Sequence, residues 1–323
     1  MLSRRLFLSS AIAASSASFS GLSFAQSYPA REIHSICGFP AGTTADIWVR
    51  FFGQQLTSLC GKPVVVENRS GAFGLLATEQ VVRSKPDGYT IFIAPGASSL
   101  AAARHLYKDA SFDPVNDFDH ITPMAKQGFI LCVAVDSPHR TVNDLVSYLR
   151  AEKGNAMYAT ATNTAVVAAA LFLRQFDLEA TAVAYRTTPE SLNDFKSGKL
   201  SFQIVDPGTA GSLVRAGHLR ALCTTTQQRM EGTPDIPSAK EAGLTMDIMS
   251  WWSIHAPKGL PTPIFDQLET WFNQIIRSDA TREFLTRFGA SPYIGDSKTL
   301  KDLVISESSA WEKYVALAKI QKI

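Results

Sequence analysis

The sequence predicts an α/β protein built as two lobes around a cleft, and three observations carry that prediction. Short apolar runs alternate with amphipathic stretches of helical period, the pattern of parallel strands joined by crossover helices. The chain has 323 residues, more than the roughly 100–200 that one hydrophobic core usually serves. Its order of elements goes out to a second strand-rich region and then returns to the first as helices, which leaves a cleft between lobes. The expected division is an export segment over 1–25, a discontinuous first lobe over 26–125 plus 227–323, and a second lobe over 126–226.

Residues 1–25 are set aside before any fold argument. Arg4 and Arg5 form a basic start, Leu6 to Ala17 is apolar and small, and Ser23-Phe24-Ala25 resembles a small-x-small cleavage site before Gln26. Ser3-Arg4-Arg5-Leu6-Phe7-Leu8 also resembles a twin-arginine motif, with Ser9 where a basic residue is common, so the export route stays open. No later stretch reaches the roughly 18 uninterrupted apolar residues of a membrane span. The expectation is a mature protein in the periplasm. Without Arg4 and Arg5 the chain carries 29 basic against 29 acidic residues, a balance that points to neither nucleic acid nor an anionic membrane surface.

In order, Ile33, Ile36 and Phe39 mark a strand that stops at Pro40 and Gly42. A helix then starts through Thr43, Thr44 and Asp46 and runs on through Phe51 to Leu59 until Gly61 ends it. Val64-Val65-Val66 is a β-branched strand, Glu67 to Gly74 its exit, and Leu75 to Ser84 the next helix. Pro86-Asp87-Gly88 is a turn before a strand over Tyr89 to Ala94, which leaves through Pro95-Gly96-Ala97-Ser98-Ser99. Phe112 to Asp119 is polar and reads as the passage to the second lobe. There Phe129 to Val135, Met157 to Ala159, Thr181 to Tyr185, Leu200 to Val205 and Leu219 to Thr224 are strands. Helices are expected over Val142 to Glu152, Ala165 to Phe176 and Ala210 to Ala216. The return comprises a short helix at Ala239 to Ala242, a strand at Trp251 to Ala256, and helices over Ile264 to Arg277, Ala280 to Phe288 and Lys298 to Ala318.

Catalytic order is missing from this pattern. The sequence has no G-x-S-x-G, H-E-x-x-H, G-x-x-x-x-G-K or strand-borne G-x-G-x-x-G, and its 6 histidines share no ligand spacing. His255, beside Trp251 and Trp252, is the one placed near the cleft. Cys37, Cys60, Cys132 and Cys223 form no C-x-x-C pair and read as buried thiols, with Cys37 and Cys60 the one pairing to check. No cofactor is expected. The strand exits offer instead small residues, hydroxyls and main-chain N–H groups at Ala41, Gly42, Thr43, Ser98, Ser99, Thr160, Thr162, Asn163 and Thr164. A helix N-terminus presents free N–H donors for which an anion is the natural guest, and such neutral donors hold a carboxylate without acid–base work. Each of these residues has helix capping as its alternative role.

Several segments resemble a known family. Gly38-Phe39-Pro40-Ala41-Gly42-Thr43-Thr44-Ala45-Asp46, Val65-Val66-Glu67-Asn68-Arg69-Ser70-Gly71-Ala72, Lys85-Pro86-Asp87-Gly88-Tyr89-Thr90, Leu219-Arg220-Ala221-Leu222 and Ala256-Pro257 are similar to the extracytoplasmic solute-binding proteins of the tripartite tricarboxylate transporter family, Bordetella-uptake type. The resemblance implies a two-lobed periplasmic binding protein type II fold with a hinge and an interlobe cleft. It further implies a monomer that captures a dicarboxylate, tricarboxylate, acidic amino acid or aromatic acid and delivers it to a two-component membrane permease.

The family's first binding loop falls on Phe39, Pro40, Ala41, Gly42, Thr43 and Asp46, with Thr43 where Gly is usual, and its third-strand exit on Ser98 and Ser99. Thr160 to Thr164 stand in place of the usual Gly-x-Gly-Ser-x-x-His, and Ala184-Tyr185-Arg186-Thr187 in place of Pro-Tyr-Lys-Gly. Arg186 is the cation expected to reach the ligand, through a guanidinium fork that lysine lacks. Arg69 with Glu67 reads as a local structural pair. Asp206 is expected to complete the second wall. Two other readings compete: an exported enzyme on an organic acid, needing His255 or Asp206 as base, and a ligand-dependent sensor or interaction module.

Overall fold

The computed structural model describes residues 28–322, so the expected export segment lies outside the described residues. The strand-loop-helix crossings of the first lobe form as the sequence pattern requires: β1 (Ile33–Cys37), α1 (Thr44–Cys60), β2 (Val64–Asn68), α2 (Leu75–Val82) and β3 (Thr90–Pro95). Thr43 caps α1, and Gly61 ends it at φ 68°, donating its N–H to the Thr57 carbonyl. The exit of β3, expected as a loop, instead coils into a fully buried π-helical segment over Ala97–Ala102 that continues as α3 (Ala103–Leu106).

Then follow β4 (Phe118–Gly128), β5 (Ile130–Ala134), α4 (Val142–Glu152), β6 (Met157–Thr160), α5 (Asn163–Gln175), β7 (Thr181–Ala184), α6 (Leu192–Lys196), β8 (Phe202–Val205), α7 (Pro207–Arg215) and β9 (Leu219–Thr224). The chain closes with β10 (Met249–Pro257), α8 (Thr262–Ile276), α9 (Asp279–Arg287), β11 (Ser291–Pro292) and α10 (Ser297–Leu317). Ala239 to Ala242, expected as helix, forms turns.

The strands make two sheets, ordered β11-β4-β10-β3-β1-β2 and β7-β6-β8-β5-β9. Neither is wholly parallel. In the first, β1 runs parallel to β2 and β3, while β10 lies antiparallel between β3 and β4. In the second, β6 is parallel to β7 and β8, and β5 antiparallel to β8 and β9.

Strand β4 has no counterpart in the sequence reading, because Asp119 and His120 break its apolar run. Both find partners across the sheet. Asp119 accepts from Lys258 Nζ at 2.8 Å and from the N–H groups of Gly259 and Leu260, and His120 lies opposite His255 in the register. The lobes are joined where β4 passes through Phe129 into β5 and where β9 returns to β10. Thr225, 1% exposed, stitches the two crossings together. It donates its N–H to the Phe129 carbonyl (2.9 Å), accepts from the Phe129 N–H (3.0 Å) and donates its hydroxyl to Ile248 (2.7 Å).

On one face of the first sheet, Trp48, Phe52, Leu56, Trp252, Phe272 and Phe284 pack under α1, α8 and α9. The core on the other face, with Phe92, Leu100, Trp251 and Trp311, runs without a break into Leu145, Phe172 and Phe202 of the second lobe. Each buried Phe or Leu contributes about 1.5–3 kcal/mol, so the lobes are fastened together behind the cleft. All four cysteines are free, and Cys37 and Cys60 are unpaired. Burial pushes the Cys37 thiol up to about 11 and that of Cys223 to about 12, as inert apolar groups.

Candidate functional site

Between the lobes lies a cleft of about 760 Å³. On its first-lobe side the chain leaves β1 through Phe39, Ala41 and Gly42 into α1. The Thr43 hydroxyl accepts from the Asp46 N–H (3.3 Å) and donates to the Pro40 carbonyl (2.7 Å), so its proton is committed to the turn. Asp46 lies behind the loop, 3% exposed, and does not line the cleft. It accepts from the Gly42 N–H (2.9 Å), Asn68 Nδ2 (2.8 Å) and Arg50 Nη2 (2.9 Å). Desolvation by burial opposes ionisation here, but the hydrogen bonds from Arg50, Gly42 and Asn68 outweigh it and hold the carboxyl below its ordinary range. Asp46 therefore fixes the loop.

The second-lobe side is made by the starts of α5 and α7. Thr162 caps α5 by accepting from the Ala165 N–H (3.1 Å), and Asp206 caps α7 by accepting from the Thr209 N–H (3.0 Å). Desolvation pushes the Asp206 carboxyl up, against the hydrogen bonds from Thr209 and Gly208 of α7 and from Thr44 of α1 that favour its charge. Thr162, Thr164, Arg186 and Asp206 line the cleft, as do Phe39, Ala41, Gly42, Thr43 and Ser98. Ser99, Thr160 and Asn163 do not line it. Ser99 packs behind the floor beside Gly74, and Thr160 is buried at the end of β6. Asn163 donates to the Ser98 carbonyl (3.0 Å) and accepts from Tyr107 (3.2 Å), tying α5 to the first lobe.

Three helix N-termini thus face one cavity: Thr43 and Thr44 of α1, Thr162 and Thr164 of α5, Asp206 and Gly208 of α7. Their capping hydroxyls and carboxylate are occupied, which leaves the first main-chain N–H groups of α1 and α5 as donors, whereas α7 begins at Pro207 and its next N–H groups, of Gly208 and Thr209, are held by the Asp206 carboxylate. The rim adds Arg186, Arg215 and Arg287, all exposed and none paired with a carboxylate among the described residues. Asp206 is the one acidic side chain in the lining. Ser98 Oγ, Thr164 Oγ1, Gln127 Oε1 and Trp252 Nε1, all on cleft-lining residues, are buried without a protein partner among the described residues. Such orphaned atoms each cost about 1–3 kcal/mol while they stay unsatisfied.

The floor was not read from the sequence. Gln127 and Ser250 sit opposite each other on β4 and β10, and Trp252 follows Ser250 at the strand period of two, on the same face. That alternation was available in Ser250-Trp251-Trp252. Arg287, at the end of α9, has no local signal because its position depends on how the C-terminal helices return.

His255, placed near the cleft by the sequence, is instead 0% exposed in the first-lobe core. His120 Nε2 bonds the Val115 carbonyl (3.1 Å) and so carries a proton. Its Nδ1 then accepts from His255 Nδ1–H (3.0 Å), and the Ser253 hydroxyl donates to His255 Nε2 (2.6 Å). Every position is filled with both rings neutral. Burial lowers the pKa of both, and for His255 the neighbouring His120 adds to the effect. Arg69 pairs locally with Glu67 at 3.1 Å, away from the cleft lining.

Two lobes joined by a stitched double crossover, with a donor-lined cleft between them, define a periplasmic binding protein of the second structural type. The chain belongs to the tripartite tricarboxylate transporter family receptors, whose family model matches residues 49–319. BugT of Bordetella pertussis is 28% identical over 295 residues, 89% of each chain. Rpa4515 of R. palustris, solved with adipate, is 30% identical and superimposes with a TM-score of 0.86 over 92% of this chain and 100% of that one. MatC of Rhodopseudomonas palustris, solved with bound malate, is 25% identical, with a TM-score of 0.81 over 89% of this chain and 100% of that one. Receptors of this family are periplasmic and are not enzymes. Among the described residues no helix is long and apolar enough to cross a membrane.

Proposed function

We propose that this receptor captures a small organic acid in the interlobe cleft, as a monomer exported by its N-terminal segment, and hands it to a two-component permease. The observation that carries the reading is the convergence of the donor ends of α1 and α5 on one cavity with three arginines at its rim that pair with no carboxylate among the described residues. One carboxylate sits against the free N–H groups at the starts of α1 and α5, reached by Ser98, Thr162 and Thr164. A second acidic group lies toward Arg186, Arg215 and Arg287, which favours dicarboxylates and larger polyacids over monoacids. Phe39, Phe129, Trp252, Phe284 and Phe288 enclose the body between them. The relatives solved with adipate and malate support the same ligand chemistry. Closure is a rotation of the second lobe about the Phe129 and Thr225 crossings.

Thermal denaturation across a panel of mono-, di- and tricarboxylates and acidic amino acids tests the reading. An acid at 100 times its Kd adds about 2.7 kcal/mol to the folded state and raises the midpoint. No rise with any acid at millimolar concentration overturns it.

A further inference from the structure

On the face of the first sheet that α10 covers, the Trp251 indole is held at both edges. Its Nε1 donates to Glu307 Oε2 of α10 (3.3 Å). Its opposite edge lies on Gly96, where a Cβ would stand 1.8 Å from Trp251 Cζ3 and 2.3 Å from Cη2. Gly96 has an ordinary helical backbone (φ −58°, ψ −36°), so it is packing against this ring, and not conformation, that requires glycine. The planar ring is 0% exposed and spans the gap between α10 and the exit of β3 as a strut.

What the strut supports belongs to the cleft. Gly96 precedes the buried π-helical segment Ala97–Ala102, whose Ser98 lines the cavity and offers its carbonyl to Asn163 Nδ2 (3.0 Å) at the start of α5. Such segments are rare and concentrate at functional sites. Glu307 is itself a costly residue for its place. Burial pushes its carboxyl up, and no cation among the described residues pairs with it. An apolar side chain would fill the same space at less cost, but it could not accept from the indole.

We propose that Glu307 is a positioning residue for the ligand cleft: acting through Trp251, it sets where the backbone from Gly96 to Ser98 stands and so how tightly an acid is held. Glu307 is not in the cleft lining and acts from behind it. The effect on affinity rests on the reading of the cleft as an acid site; the effect on Ser98 does not.

Glu307→Leu removes the acceptor, and Glu307→Gln keeps one. In calorimetry with adipate and malate, Glu307→Leu should weaken binding about fivefold or more, because a site that must be ordered on binding loses affinity, and Glu307→Gln should stay within about twofold of wild type. Trp251→Phe keeps an aromatic ring but loses the N–H and the full reach to Gly96, and should weaken binding similarly. In that background Glu307→Leu should add nothing, since both changes cut one path. A lowered midpoint with unchanged affinity makes Glu307 merely structural and overturns the proposal, as does a double variant whose losses add. Should Glu307→Leu not fold, Trp251→Phe alone decides, and unchanged affinity in that folded variant overturns it. If the wild type binds neither acid, the carboxylate reading fails and the cleft floor is read directly. Iodoacetamide alkylation of Ser98→Cys, followed by peptide mass analysis, should then change rate several-fold on adding Glu307→Leu, or Trp251→Phe where that variant does not fold. An unchanged rate overturns the positioning role by itself.

Discussion

On the first-lobe wall of the cleft, the Asp46 carboxylate gathers a loop N–H, an asparagine amide and a guanidinium behind the Phe39 to Thr43 turn. On the second-lobe wall, Arg186 and Arg215 stand exposed at the rim, on a turn after β7 and at the end of α7, and neither is held by an acidic side chain among the described residues. One wall is fixed before anything binds, and the other is free to adjust. In the proposed reading the first lobe offers a pre-set wall to a carboxylate, and the second adds adjustable charge. Ordering long side chains costs affinity, so on the proposed reading the exposed arginines are expected to tune how strongly an acid is held and the anchored loop to decide whether it is held at all.

Removing the anchor is expected to have the largest effect. Asp46→Ala strands the Gly42 N–H and the Asn68 amide and should lower stability by about 2–3 kcal/mol in urea denaturation, with loss of acid binding. An affinity close to wild type would show that the loop holds its shape unaided.

The first lobe is also where pH should act. The neutral His120–His255 chain excludes protons that the unfolded histidines take up near their ordinary value of about 6.5. Their folded pKa values are depressed, so this contribution is complete above that pH and is lost as pH falls below it. Up to about 2 kcal/mol goes between roughly pH 6.5 and 5.5 if both rings stay neutral in the fold. A midpoint that is flat across this range in wild type would contradict the neutral chain.

The exposed wall should respond differently. Arg186→Ala weakens acid binding about tenfold, or about 1.4 kcal/mol, and leaves stability within about 0.5 kcal/mol. Arg186→Lys keeps the charge and loses the fork, so it falls between. Calorimetric titration separates the three.

What is legible in the sequence follows the same division. The strand exits at Phe39 to Thr44, Ser98, Thr160 to Thr164 and Asp206 were legible because a cap is a local event, written in hydroxyls and carboxylates beside the turn they close. What no local pattern shows is whether a capping oxygen is also offered outward. Asp46 and Asn163 have the residue types of a ligand contact and bind protein instead: Asn163 reaches Ser98, distant in sequence, and Asp46 joins the distant Asn68 to its local partners Gly42 and Arg50. Strand β4 was lost for a related reason. Asp119 and His120 look like surface residues until Lys258 and His255 of the returning chain are laid beside them. Gln127, Ser250 and Trp252 went unread as a floor because it is assembled only when that return is known.

Thr43 gives the smallest expected effect and a sharp one. Its hydroxyl proton is donated to Pro40, so Thr43→Val should cost about 1 kcal/mol of stability through the lost cap, Thr43→Ser should restore it, and any loss of affinity should be no larger. A much greater loss of affinity with stability intact would mean that the hydroxyl serves the ligand and the cap is incidental.

The central claim is that the cleft recognises the negative charge of a carboxylate at converging helix ends. Isothermal calorimetry of the wild-type protein with each acid of a di- and tricarboxylate panel, paired with the corresponding uncharged amide of the same shape, tests it most directly. At least one acid should bind while its amide releases no measurable heat at the same concentration. Equal binding of acid and amide, or binding of neither by any pair, would contradict the account.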